Sequence, residues 1–324
     1  MAHELEIVND EASMAYVGET PWHGLGKRVP ADVSPQQMLE AAGLDWTVEK
    51  KPLFYNLESG PVLTKANALV RSTDGKLLTV VSNDWKPVQN QEAFEFFNDF
   101  VLSGDMEMHT AGSLREGKMV WAMAQIKDSF EIFGGDKVEG YLLFSNPHEF
   151  GRSIDVRFTP VRVVCNNTLT MALDDTSRHA VKINHRTHFD GDMVKETLGI
   201  AKDKLQRYKE QALFLGQKKY KKETIIEYFN RVFPSLTKDE EKVKVLNKEP
   251  ISRQAEEAMA VLHTQPGANF APGSWWQAFN TVTYMADHKL GRSQDSRLTS
   301  SWYGLNRAKK EKALELAVEY AEAA

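Results

Sequence analysis

Ala66-Asn67-Ala68-Leu69-Val70-Arg71-Ser72-Thr73-Asp74-Gly75-Lys76-Leu77-Leu78-Thr79-Val80-Val81-Ser82 is the stretch on which the fold turns. Two apolar runs, 66–72 and 76–82, flank Thr73-Asp74-Gly75. Asp-Gly between such runs is a strong hairpin signal, because glycine takes up the positive φ that a tight turn between twisted strands demands. The stretch therefore predicts antiparallel strands. Upstream, Trp46, Val48, Leu53 and Tyr55 carry the β pattern back to Asp45. Downstream it resumes over 106–114 and 118–126 around Arg115-Glu116-Gly117, and again over 138–145, 153–164 and 180–186. One helix is expected among these strands, from about Gln91 to Leu102, capped by Asn90. Phe94, Phe97 and Val101 share one of its faces, and Phe96 and Phe100 widen it. Hairpins separated by a single helix, without βαβ alternation, give the class α+β: an antiparallel β-sheet core with packed helices.

A second helix starts earlier. Ser34 is a good N-cap, Pro35 suits the first turn, Gln37 completes a capping-box spacing and Gly43 closes the end. Past Gly191 the pattern becomes helical, with apolar positions at 194, 198, 201, 205, 208, 212 and 215 forming one stripe. Further helices are expected over 224–232, 252–263, 274–288 and 305–323, which makes the C-terminal region mostly helical. The expected organisation is an ordered N-terminal arm over 1–33, an α+β core domain over 34–190 and a helical region over 191–324. The arm lacks periodicity but carries Tyr16, Trp22 and three glycines, Gly18, Gly24 and Gly26.

Composition sets the limits. The 324 residues are 42% hydrophobic and 26% charged, a globular balance that argues against long disorder or a fibrous repeat. No apolar run approaches the roughly 18 to 20 residues that span a bilayer, and the first residues lack a basic segment leading into an apolar one. Cys165 is the single cysteine and has no internal disulfide partner. The expectation is a soluble protein of the host cytoplasm, with no membrane partner. A net charge of −5 gives the whole molecule no attraction for phosphates, so any polyanion site is local.

Catalytic motifs are weak. His185-Arg186-Thr187-His188-Phe189-Asp190 gathers two histidines and a carboxylate, but zinc needs a fuller ligand set than this run offers. Cys165 follows Val163 and Val164 in an apolar strand, where a thiol behaves as a small buried hydrophobe. No Gly-Xaa-Ser-Xaa-Gly elbow occurs. Gly24-Leu25-Gly26-Lys27-Arg28 offers backbone amides and two cations, yet the phosphate-binding fingerprints need more glycines and a strand-to-helix context. No catalytic residue, metal or cofactor is expected. An enzyme would need groups gathered from distant segments, such as His23, His148, His185 and His188 with the acids beside them.

Local charge is the strongest functional signal. Between Arg152 and His188 stand six fixed cations, Arg152, Arg157, Arg162, Arg178, Lys182 and Arg186, against the three carboxylates Asp155, Asp174 and Asp175. Clustering of this kind is a polyanion footprint, with a solvated face or internal ion pairs as the alternative. On a regular strand Arg157 shares a face with Asp155 and not with Arg162. Among seven tryptophans, Trp85 in Asn83-Asp84-Trp85-Lys86-Pro87 has a turn setting, where an exposed ring could stack on unpaired bases. The candidate nucleic-acid-binding residues are these six cations and Trp85.

The run Met14-Ala15-Tyr16-Val17-Gly18-Glu19-Thr20-Pro21-Trp22-His23-Gly24-Leu25-Gly26 resembles the N-terminal signature of the phage/plasmid-like protein family, a group encoded by phages, prophages and plasmids. Phe279-Asn280-Thr281-Val282-Thr283-Tyr284-Met285-Ala286-Asp287-His288 and Ser301-Trp302-Tyr303-Gly304 resemble it too, so the likeness spans nearly the whole chain. It supplies no reaction and no catalytic residue. In architecture, hairpins around one aromatic-rich helix followed by a basic strand region are similar to the cores of single-strand annealing proteins such as phage RecT, Redβ and Erf. That resemblance implies a homo-oligomer holding single-stranded DNA in a basic groove and annealing it in recombination without ATP. Two alternatives remain: an interaction or counter-defence protein that binds a host partner through an apolar surface, and an enzyme with a site assembled in space.

Overall fold

The structure is a computed structural model. It describes all residues except 1–4, 22–23, 163–166, 169–179, 199–200, 236–243, 247–248, 292–296, 298–299, 302–303 and 324, with backbone alone at 128–130, 160–162, 167–168, 180, 197–198, 201–205, 244–246 and 249.

The chain opens with a two-stranded ribbon, β1 (Ile7–Val8) and β2 (Glu11–Ala12), followed by β3 (Met14–Val17) and β4 (Lys27–Val29). Helix α1 (Pro35–Ala41) begins as its sequence dictates. Gln37 N–H donates to Ser34 Oγ at 3.2 Å, and Ser34 N–H donates to Gln37 Oε1 at 3.0 Å, a reciprocal capping box. Next come β5 (Val48–Leu57), β6 (Gly60–Arg71) and β7 (Leu77–Ser82), a separate three-stranded antiparallel sheet in the order β5-β6-β7. The Asp74-Gly75 turn closes as expected: Gly75 takes φ +69° and its N–H donates to the Arg71 carbonyl.

The expected helix over 91–102 is two, α2 (Asn90–Glu95) and α3 (Asn98–Leu102), and the cap is Gln89, not Asn90. Successive residues of an unbroken helix point about 100° apart. Phe96 and Phe97 lie between the two helices and are both buried, in a cluster with Phe100, Phe144 and Phe189.

The main sheet follows: β8 (Met106–Leu114), β9 (Met119–Ile132), β10 (Asp136–Pro147), β11 (Ile154–Arg162), β12 (Asn167–Thr168) and β13 (Ala180–Ile183). With β3 and β4 it makes an eight-stranded sheet in the order β12-β11-β10-β9-β8-β3-β4, with β13 also pairing with β11. The β3–β4 pairing is parallel, whereas β3–β8, β8–β9, β11–β12 and β11–β13 are antiparallel. Gly112 is required where β3 meets β8, because a Cβ there would sit 2.9 Å from the Ser13 carbonyl oxygen and 3.2 Å from Trp121. Trp121 itself is buried, as its alternation with Met119 and Met123 predicts.

The remainder is mostly helical: α4 (Gly191–Leu198), α5 (Ala201–Gln217), α6 (Lys222–Val232), the short hairpin β14 (Lys244–Leu246) and β15 (Glu249–Ile251), then α7 (Arg253–Val261), α8 (Trp275–Tyr284) and α9 (Leu305–Glu322). Ser252 and Ser274 cap α7 and α8 through their hydroxyls. The protein is thus α+β with a mostly antiparallel sheet and a mostly helical C-terminal region. Among the described residues no helix is long and apolar enough to cross a membrane.

By compactness the chain forms two units, one of 1–128, 141–158 and 178–200, the other of 129–140, 159–177 and 201–324. In the first, α1 packs on β3, β4 and β8. In the second, α8 is buried nearly all round against α5, α7 and α9, and its polar side chains Gln277, Asn280, Thr281 and Thr283 are hydrogen-bonded to backbone carbonyls. A single π-helical turn, Met285–Lys289, continues α8 and brings Asp287 to 2.8 Å from the Lys310 ammonium of α9, with Lys310 fully buried.

Candidate functional site

The loop between β7 and α2 organises the first unit. Lys86 precedes Pro87, which disfavours helical backbone at Lys86, and Gln89 is extended with ψ 152°. Along an extended segment alternate residues share a side. Lys86, Val88 and Asn90 each hold one buried polar residue from elsewhere. The Lys86 N–H donates to the His185 carbonyl at 2.6 Å, and the Lys86 carbonyl accepts from His185 Nδ1 at 3.0 Å. The Val88 carbonyl accepts from the Asn146 amide at 2.9 Å. Asn90 Oδ1 accepts from His148 Nε2 at 2.8 Å, since the Asn90 amide nitrogen is committed to the Leu44 carbonyl at 3.0 Å.

Aromatic rings wall the cluster. Trp85 stacks on His185 with centroids 4.0 Å apart and planes 19° off parallel. Trp46 meets His148 edge-on at 5.4 Å, and the Arg71 guanidinium lies 5.4 Å from the Trp46 ring centre. Arg71 is in turn clamped by Glu6 and Asp74, both at 2.6 Å. Burial, with a smaller contribution from neighbouring His185, drives the His148 pKa down to about 3. Burial also lowers that of His185, outweighing the Lys86 and Pro147 carbonyls, which favour its proton. Both rings are therefore neutral at neutral pH.

Cations border this cluster. Lys86 is exposed, Arg186 follows His185 and is exposed, and Lys182 is exposed on β13. Lys50 donates to the carbonyls of Asn83 at 2.7 Å and Trp85 at 3.0 Å. Among the described residues none of these four cations has a carboxylate partner, and Asp84, next to Trp85, is an exposed acid.

The expected seven-residue footprint is only partly assembled. Trp85 is 5% exposed, because its ring is spent on His185, so its expected role as an open stacking surface is corrected. Arg157 is buried and clasped by Asp155 through Nε at 2.6 Å and through a second guanidinium nitrogen. The two residues lie on one face of β11, as their parity requires, and that pairing takes Arg157 out of an open groove. Arg152 is exposed but paired with Glu149 at 2.9 Å. Arg162 is described by backbone only and Arg178 lies outside the described residues, as do Trp22, His23 and Cys165. Of the set, Lys182 and Arg186 remain exposed and free of carboxylates. Lys50 and Lys86 join them unforeseen, because no linear pattern places residue 86 against residue 185.

The other candidates disperse. His185 is buried whereas His188 is exposed, and Asp190 is used at the start of α4, where its Oδ1 accepts from the N–H groups of Asp192 and Met193. Gly24 and Gly26 serve a turn, with the Gly24 N–H on the Pro21 carbonyl at 2.8 Å. Lys27 and Arg28 are exposed on β4, beside a groove lined by Val17, Gly18, Arg28, Val29, Pro30 and Ala31.

Residues 77–302 match the model of a family described as a domain of unknown function, DUF932. The chain belongs to the DUF932 family. The DUF932 region contains Trp85, Lys86, Asn146, His148, Lys182, His185 and Arg186, while Glu6, Lys50 and Arg71 precede it. No curated protein and no solved structure matches the chain.

Proposed function

We propose that this DUF932 protein binds the sugar-phosphate backbone of single-stranded nucleic acid through Lys50, Lys86, Lys182 and Arg186. The reading further assigns it to strand annealing in the recombination of a mobile element. The observation that carries the binding reading is the 2.6 Å bond from the Lys86 N–H to the His185 carbonyl, which joins two cation-bearing segments that have no carboxylate partner among the described residues. Lysine and arginine without carboxylate partners neutralise phosphates and release their counterions, which gives sequence-independent affinity even to a protein with a net charge of −5. Annealing and the mobile-element setting rest on the resemblance to phage/plasmid-like and annealing proteins. Fluorescence anisotropy with a labelled single-stranded oligonucleotide tests the binding. The variant K86A/K182A/R186A binds at least about tenfold more weakly than the parent, at about 1.4 kcal/mol or more lost in total on removing three phosphate contacts. Equal affinity, or no binding by the parent at 50 mM salt, ends the proposal.

A second reading, association with a host protein, has its own observation. The outer half of the β5–β6 ribbon pairs Phe54 with Leu63 and Tyr55 with Val62, and Phe54, Tyr55, Leu57 and Leu63 are all exposed. A two-stranded ribbon is marginal alone in water, and exposed apolar clusters mark contact surfaces. A single host protein retained by the parent and lost by F54S/L63S supports this reading, and identical retention by both removes it.

A further inference from the structure

The buried side of the 86–90 segment is unbalanced in its hydrogen bonding. His148 donates from Nε2 to Asn90 and His185 donates from Nδ1 to Lys86. A neutral imidazole has one N–H, so each ring keeps a bare lone pair, on Nδ1 of His148 and Nε2 of His185. Both atoms are buried and neither has a hydrogen-bond partner. Asn146 repeats the pattern: its amide nitrogen donates to Val88, and its buried Oδ1 has no donor. The side chains of all three residues are nearly or fully buried.

These acceptors are neighbours. Asn146 and His148 flank Pro147 at the end of β10, and the Pro147 carbonyl interacts with the His185 ring. Three orphaned acceptors, from residues 146, 148 and 185, are thus gathered with the Pro147 carbonyl and no donor among them. One water molecule has two hydrogens and cannot satisfy all three. The outer hydrogen bonds follow another pattern: a metal-ligating histidine donates its second ring N–H to a carbonyl or similar acceptor, which fixes the tautomer and aims the lone pair at the ion. His148 on Asn90 Oδ1 and His185 on the Lys86 carbonyl both have this arrangement.

We propose that His148 Nδ1 and His185 Nε2 ligate a divalent transition-metal ion, with Asn146 Oδ1 and the Pro147 carbonyl oxygen completing a four-coordinate set. Imidazole suits zinc and its neighbours, and zinc, which imposes no geometry through its d electrons, is the ion to which this mixed set commits. Among the described residues no three of His, Cys, Asp and Glu gather, so the ligands are neutral and the ion keeps its full charge. The site does not depend on the nucleic-acid reading, and its test uses no nucleic acid.

The test uses the full chain without a histidine tag, stripped with a chelator and dialysed into metal-free buffer. Calorimetric titration with zinc chloride is expected to give one ion per chain. The unfolding temperature rises by about 2 °C or more at a hundredfold excess over the dissociation constant. Cobalt(II) gives the visible absorption of a four-coordinate nitrogen and oxygen site. H148Q and H185Q each weaken zinc binding at least about tenfold, as loss of a ligand must if loss of an outer-shell partner already costs that much. H188Q, at an exposed histidine, changes nothing. Should H148Q or H185Q fail to fold, the stoichiometry and the cobalt spectrum of the parent decide. Absence of both overturns the site, as does zinc binding that H188Q abolishes and H148Q and H185Q leave intact.

Discussion

Lys86 and His185, 99 positions apart, hold each other by two hydrogen bonds: the Lys86 N–H to the His185 carbonyl, and His185 Nδ1 to the Lys86 carbonyl. A loop and the turn after β13 are joined there, and the charged side chains of Lys86 and Arg186 are carried on the joined backbone. The aromatic residue next to the junction, Trp85, packs inward on the His185 ring.

Trp85→Phe therefore separates support from contact. The variant keeps single-stranded DNA affinity within about twofold while its unfolding temperature drops, because the ring stabilises the loop and does not touch bases. An exposed stacking residue is worth about 1–3 kcal/mol per base, so a tenfold loss of affinity measured by anisotropy would place the ring on the ligand.

Arg71 is buried against the buried carboxylate of Glu6 and also held by Asp74. Arg71→Ala leaves Glu6 charged and unpaired in the interior, at a cost of about 3–5 kcal/mol. Arg71→Lys recovers only part of this, since an ammonium cannot reproduce the fork that grips Asp74 through two nitrogens. Denaturation monitored by tryptophan fluorescence checks both, because Trp46 lies against Arg71.

Acid acts on the same clamp. The Arg71 guanidinium holds the Asp74 pKa at about 2, below its ordinary 3.8. A carboxylate depressed in the folded state contributes stability above its unfolded pKa and loses it as pH falls through the folded value. The Asp74 contribution is thus complete above 3.8 and disappears on the way to about 2. Asp74→Asn flattens the unfolding temperature across that window relative to the parent, and an unchanged slope would show that the pair adds nothing.

In the second unit, Lys310 is fully buried and pairs with Asp287 on the π turn. Lys310→Met removes the ammonium from that buried carboxylate, at a cost of about 3–5 kcal/mol. K310M/D287N regains part of the loss, and a double-mutant cycle on unfolding free energy measures the coupling. Additive effects would mean that the two groups do not communicate.

What the sequence revealed was local. The Ser34–Gln37 capping box, the Asp74-Gly75 turn and the inward face of Trp121 depend on neighbours a few residues away, and each is realised. The capping of α2 escaped because Asn90 has a distant employment, on Leu44 and His148, that outweighs its local preference. The charge cluster misled for a similar reason. Sequence counts cations but does not show that Arg157 faces Asp155 while Lys86 is brought beside His185 from 99 residues away. Parity along β11 was the one legible hint of the Arg157 pairing.

The salt dependence of oligonucleotide affinity tests the central claim most directly. Four cations neutralising four phosphates of a single strand give a slope of log affinity against log salt of about −3, falling to about −1 in K86A/K182A/R186A. A slope near zero, or one that the variant leaves unchanged, would contradict a polyanion contact by Lys50, Lys86, Lys182 and Arg186.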